Sequence, residues 1–205
     1  MLIPAKALPA AKSRLAATLD DDAHARLVDA IRADTLSAAR ATPGVTRIVV
    51  VADRPAALPD DADELLVQRE PGLNAALREA AEHAARHWPE DGVAALLGDL
   101  PALRPAELAA GLLEAAGHPR AFVRDSAGTG TTLLTARPGT DLEPAFGSRS
   151  AERHAAVAVE LSGGPGLRQD VDTVADLERA VALGLGVATA AETRAATRRI
   201  HLGSA

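Results

Sequence analysis

Val93-Ala94-Ala95-Leu96-Leu97-Gly98-Asp99-Leu100-Pro101 is the stretch on which the fold is read. The apolar run 93–97 reads as a central strand, Gly98 lets the backbone turn or approach a ligand closely, and Pro101 stiffens the exit. Asp99 is left at the carboxyl end of that strand, where open α/β sheets keep their ligand crevice. The rival duty for a loop Asp is to cap the next helix. A helix starting at Pro105 has cap candidates nearer to it than Asp99.

Working outward, short Val/Ile/Leu runs alternate with longer Ala-rich stretches, the pattern of a mostly parallel sheet flanked by helices. Strands are predicted at 2–7, 47–52, 64–68, 93–97, 121–124, 131–136 and 157–161. Helices are predicted at 21–41, 73–88, 105–116, 150–155, 174–183 and 190–199. Asp20 or Asp21 can cap the first long helix, and Thr42-Pro43-Gly44 ends it. The glycine-bearing segment from Asp125 to Gly130 lies between two strands and predicts a hairpin, which breaks the purely parallel pattern. No linker or repeat divides the chain, so 1–205 is expected to be one domain, with 187–205 a helical tail.

Nearly half the residues are apolar, yet only Phe122, Phe146 and Trp88 are aromatic, so the core must be aliphatic. Single-stranded nucleic acid is usually held by aromatic stacking in a basic groove. With few aromatics and a net charge of -6, neither a nucleic-acid partner nor a membrane surface is expected. The chain has no cysteine, which removes disulfides, thiolate metal sites and thiol nucleophiles and fits a reducing compartment. No apolar run approaches the roughly 18 to 20 residues of a membrane span or resembles a signal peptide, so a cytoplasmic protein is expected.

Four further clusters carry candidate chemistry. Of 22 basic residues only Lys6 and Lys12 are lysine, and both precede Ser13-Arg14 just after the first strand. A compact ammonium suits a point contact with a phosphate oxygen better than a planar guanidinium does. Asp170-Val171-Asp172-Thr173 precedes the helix from Val174; if extended, it puts both carboxylates on one face, where a divalent cation would relieve their repulsion. Asp172 or Thr173 could instead cap that helix, which makes Asp170 the better metal candidate. Gly128-Thr129-Gly130-Thr131-Thr132 and Phe146-Gly147-Ser148-Arg149-Ser150-Ala151-Glu152-Arg153-His154 offer backbone N–H groups and hydroxyls to an anion, although turns and caps use the same residues. The pair His83 and His87 reads as solvated helix surface, since a zinc site needs further ligands. The phosphate-loop, dinucleotide-turn and nucleophile-elbow motifs are absent from the sequence.

With these residues in view, the sequence resembles the phosphoenolpyruvate / 2-phospho-L-lactate guanylyltransferase family of coenzyme F-420 biosynthesis. The resemblance spans 2 to about 186 and rests on Lys12-Ser13-Arg14-Leu15, Gly72-Leu73-Asn74, Gly98-Asp99-Leu100-Pro101-Ala102-Leu103, Gly128-Thr129-Gly130-Thr131, Phe146-Gly147 with Ser150, and Leu167-Arg168-Gln169-Asp170-Val171-Asp172-Thr173. It implies a nucleotide-diphospho-sugar-transferase-like fold, a mixed, mostly parallel doubly wound α/β sheet of about seven strands. It implies Mg²⁺ held by Asp99 and Asp170, with Asp172 a further candidate, and Lys6, Lys12, Ser13 and Arg14 on the triphosphate of GTP. Lys12, Asp99 and Asp170 would be the catalytic set. Gly72 and Asn74 would seat the guanosine, and Thr131, Gly147 and Ser150 the phosphorylated acid; Thr132 is the alternative to Thr131. The acid expected is phosphoenolpyruvate, with 2-phospho-L-lactate or 3-phosphoglycerate as alternatives. A CTP- or ATP-dependent nucleotidyltransferase or an inactive nucleotide-binding paralogue would share much of this pattern, and the oligomeric state is left open, a homodimer included.

Overall fold

The computed structural model describes residues 1–4 and 21–202. Along the chain come β1 (Leu2–Pro4), α1 (Asp21–Arg40), β2 (Val49–Ala52), β3 (Glu64–Val67), α2 (Leu73–His87), β4 (Val93–Leu96), α3 (Pro105–Ala115), β5 (Arg120–Arg124), β6 (Thr131–Ala136), α4 (Ser150–Ala155), β7 (Val159–Leu161), α5 (Pro165–Arg168), α6 (Val174–Leu183) and α7 (Val187–Leu202). The strands form one sheet in the order β3-β2-β1-β4-β6-β5-β7. Among the described residues six strands run the same way, and β6 alone is antiparallel to its neighbours β4 and β5. The mixed, mostly parallel sheet is thus the one expected, and the reversal comes from the hairpin at 125–130.

Strand periodicity sorts the core into two layers. Ile3, Ile48, Val50, Leu96 and Leu133 face one side, packing with Leu36 of α1 and Leu108 of α3. Leu2, Val49, Val51, Ala95 and Leu134 face the other, against Leu77 and Ala80 of α2 and Phe122 of β5. Alanines at the strand–helix contacts let the layers approach closely where aromatic rings are scarce.

Where boundaries differ from expectation, a local bond explains them. The Ala158 and Val157 N–H groups donate to the His154 carbonyl, closing the turn after α4 and delaying β7 to Val159. The short α5, which was not foreseen, opens with Pro165 in its first turn. The tail helix starts earlier than residue 190 because Asp34 of α1 caps it: its carboxylate accepts the Ala188 N–H at 3.0 Å and the Thr189 N–H at 2.7 Å. Asp34→Ala should therefore lower stability by about 1 to 2 kcal/mol in urea unfolding. A midpoint equal to wild type would show that the tail needs no cap.

Candidate functional site

A cavity of about 510 Å³ opens at the carboxyl ends of β1 and β4 and is completed by the start of β6 and the loop before α4. Asp99, Asp170 and Asp172 line it, together with Thr131, Gly147 and Ser150. The two groups, remote in sequence, meet here because β6 runs backwards: its first residue lies beside the last residues of β4, with Leu96 paired to Leu133.

Each carboxylate is held by its own backbone. In the Gly98-Asp99-Leu100 loop the Leu100 N–H donates to Thr35 Oγ1 at 3.1 Å, and that hydroxyl donates to the Ile31 carbonyl, so α1 fixes the turn. The Val171 N–H donates to the Asp99 carbonyl at 3.1 Å, which ties the two acidic loops together. Val171 is fully buried while Asp170 and Asp172 both reach the cavity, as the alternating spacing predicts. The cap of α6 is Thr173: its hydroxyl accepts the Asp176 N–H, and the Asp176 carboxylate accepts the Thr173 N–H in return. Asp172 is thereby released from capping.

Burial, then the neighbouring charges of Asp99, Asp125 and Asp172, push the Asp170 carboxyl up to about 8. Such a cluster of like charges calls for a cation or a proton. Among the described residues, no three carboxylate or imidazole groups are arranged to enclose a metal ion. Magnesium does not need such a cage, because it is usually held by one or two carboxylates, with substrate phosphates and water filling the remaining positions. The hard oxygens of Asp99 and Asp170, with Asp172 beside them on the cavity wall, fit that ion.

The Thr131 side of the cavity is built with more redundancy. The Asp125 carboxylate accepts the Thr129 and Gly130 N–H groups at 2.9 and 2.7 Å and so shapes the hairpin. The guanidinium of Arg168 donates to the carbonyls of Arg124 and Asp125, both at 3.1 Å, joining that hairpin to the Asp170 segment. The Ala145–Ser148 loop is gripped from two sides. Arg153 donates to the carbonyls of Ala145 and Ser148. Asn74 donates to the Phe146 carbonyl at 3.0 Å and accepts the Phe146 N–H at 2.7 Å.

The Asn74 amide thus clamps the loop that carries Gly147 and does not line the cavity, whereas its neighbour Leu73 does. Gly72, with φ 110, is the left-handed residue that opens α2 behind Leu73. Of the two threonines, Thr131 lines the cavity; the Thr132 hydroxyl is buried without a hydrogen-bond partner. Lys6, Lys12, Ser13 and Arg14 fall outside the described residues; among the described ones, Arg32 and Arg149 bring positive charge to the cavity wall.

Sequence reasoning left Asp125, Arg168 and His154 without roles. One signal was available: Ser150 and His154 are four apart on one helix and so share a face. Arg168 and Asp125 had none, since both act through backbone carbonyls or turn amides.

A doubly wound sheet with carboxylates at its crevice and a hydroxyl-lined pocket beside them is the arrangement of a nucleotidyltransferase. Solved structures with this fold include one described as a candidate nucleotide-diphospho-sugar transferase from Desulfovibrio desulfuricans G20. It has a TM-score of 0.63 and 17% identity, over 86% of this chain and 83% of that one. Another is CMP:2-keto-3-deoxy-manno-octonic acid synthetase, solved with CTP, with a TM-score of 0.51 and 17% identity over 89% and 96%. The chain belongs to the family described as "Guanylyl transferase CofC like", whose model matches residues 1–164. It is 53% identical to a phosphoenolpyruvate guanylyltransferase of Geodermatophilus obscurus, covering 97% of this chain and 95% of the relative. It is 49% identical to one of Streptomyces coelicolor, covering 93% of each.

Proposed function

We propose that this guanylyltransferase joins GTP to phosphoenolpyruvate, giving enolpyruvyl-diphospho-guanosine and pyrophosphate, as a step of coenzyme F-420 biosynthesis. The observation that carries this reading is the meeting of Asp99 and Asp170 with Thr131, Gly147 and Ser150 around one cavity, in a chain half identical to relatives bearing that name. In the reaction a phosphate oxygen of the acid forms a bond to the α-phosphorus of GTP, and the bond from that phosphorus to the bridging oxygen breaks to release pyrophosphate. The protein forms no covalent bond, so its contribution is positioning and charge neutralisation. Asp99 and Asp170 hold Mg²⁺, which when bound supplies positive charge to the phosphoryl oxygens and the leaving group. Lys6, Lys12, Ser13 and Arg14 contact the triphosphate, and the start of α2 borders the guanosine side. Thr131, Ser150 and the Gly147 backbone take the acid.

Phosphoenolpyruvate is planar with a methylene, whereas 2-phospho-L-lactate is tetrahedral with a methyl. An apolar wall that senses such a difference is worth about 1 to 3 kcal/mol, so preference is expected to be graded, roughly 10- to 200-fold in kcat/KM. Purified protein offered GTP, CTP or ATP with Mg²⁺ and each acid should release pyrophosphate fastest with GTP and phosphoenolpyruvate. Mass spectrometry should find the enolpyruvyl product when both acids are present. A chiefly lactyl or 3-phosphoglyceryl product would overturn the acid, and preference for CTP or ATP would overturn the nucleotide.

A further inference from the structure

His154 has no part in the chemistry above, yet it is fully buried beside the acceptor pocket. Both of its ring nitrogens are engaged: Nε2 lies 3.0 Å from the Ala145 backbone nitrogen, and Nδ1 lies 2.8 Å from Thr131 Oγ1. A backbone N–H can only donate, so Nε2 is the bare, accepting nitrogen. The single proton of the neutral ring then sits on Nδ1 and is donated to Thr131. Phe122 and Phe146 wall the ring at centroid distances of 6.0 and 5.1 Å. Burial, with Arg153 nearby, pushes its pKa down to about 4, which keeps it uncharged. A second ring proton would set donor against donor at Ala145.

The consequence falls on Thr131. A hydroxyl oxygen that already accepts from an imidazole must turn its own proton elsewhere. Ser150 Oγ is 3.3 Å away, and both residues line the cavity. One of the two hydroxyl protons bridges the pair, and the other is left to face the cavity. We infer that His154 is a positioning residue: by holding Thr131 Oγ1 as an acceptor, it commits the Thr131–Ser150 pair to present one hydroxyl proton to an anionic oxygen of the phosphorylated acid. A ring with a bare Nδ1 would do the opposite, drawing the Thr131 proton away from the pocket. This role rests on the acceptor site proposed above.

Two substitutions separate the two contacts of the ring. In His154→Asn an amide N–H can stand where Nδ1–H stands; in His154→Gln an amide oxygen can reach the place of Nε2. The expected result is a KM for phosphoenolpyruvate raised about tenfold in His154→Gln, with kcat and the KM for GTP nearly unchanged, and much of that affinity kept in His154→Asn. Equal damage in both variants, no change in either, or a shift confined to GTP would overturn the inference. The wild-type protein labelled with ¹⁵N-histidine supplies a readout free of activity. His154 should show a protonated Nδ1 and a bare Nε2 from about pH 6 to 9. An Nε2–H tautomer or an imidazolium would overturn the inference. If wild type turns over GTP only with a different acid, the substrate reading falls, while the variant split measured on that acid and the tautomer still decide the role of His154.

Discussion

Replacing Asp170 with asparagine will make the metal-free protein more stable at pH 8 while reducing guanylyl transfer at least a hundredfold. The Asp170 carboxyl has its ordinary value near 3.8 in the unfolded chain and about 8 in the folded one, raised first by burial and then by Asp99, Asp125 and Asp172. Between those values the native protein keeps a proton that the unfolded chain has released. Stability therefore falls as pH rises through this window. Asparagine carries no charge to be repelled and should recover about 2 kcal/mol or more at pH 8, but almost nothing near pH 4. Under the proposed metal assignment, the same substitution removes a ligand of the cation that neutralises the phosphates, a dominant electrostatic contribution whose loss costs about a hundredfold or more. Asp99→Asn should lose activity similarly. Thermal unfolding across pH in a chelator, and initial rates at saturating Mg²⁺, check the two halves separately. A flat stability profile for wild type would remove the charge argument, and near-normal turnover of both variants would remove the metal assignment.

The second large effect is expected at Gly130. A Cβ there would stand 2.3 Å from Asp125 Oδ2, the oxygen that accepts the Gly130 N–H. Gly130→Ala must drive that carboxylate aside and break the hydrogen bonds that shape the hairpin. The strand start carrying Thr131 moves with it, as does α4, whose Ala151 N–H donates to the Thr129 carbonyl at 3.1 Å. Stability should fall by about 2 to 4 kcal/mol, and the KM for the acid should rise more than tenfold, since one strained substitution disturbs several buried contacts at once. Gly117→Ala is the matched control, because a Cβ there meets only the Glu114 carbonyl at an ordinary 3.5 Å. A Gly130→Ala protein as stable as that control, with an unchanged KM, would show that the hairpin does not set the pocket.

The fold was legible because its information is local. Alternation in β1 and β2 separates Leu2, Val49 and Val51 from Ile3 and Val50, and the two sets pack on opposite faces. The glycines of 125–130 announced the one reversed strand. Asp99 and Asp170 could be picked out from their loops, but their approach through the Val171-to-Asp99 bond is a tertiary event that no spacing encodes. Asn74 shows the limit from the other side. Its neighbour Leu73 reaches the cavity, but an amide can serve a ligand or a backbone equally well, and nothing in the sequence says that this one meets the backbone of Phe146. His154 was hidden for a related reason: nothing in the sequence says that its two nitrogens find an amide and a hydroxyl rather than water.

The reversed strand divides the enzyme into two inheritances. Under the proposed roles, the candidate metal carboxylates Asp99 and Asp170 stand in separate loops, whereas the residues assigned to the acid, Thr131, Gly147 and Ser150, fall in one unbroken block between Asp125 and His154. On that reading, drift within the block would change which small phosphorylated acid is taken while the carboxylates stay as they were. Lineages with different acids at hand could thus diverge by rewriting about thirty consecutive codons, leaving the chemistry at phosphorus untouched.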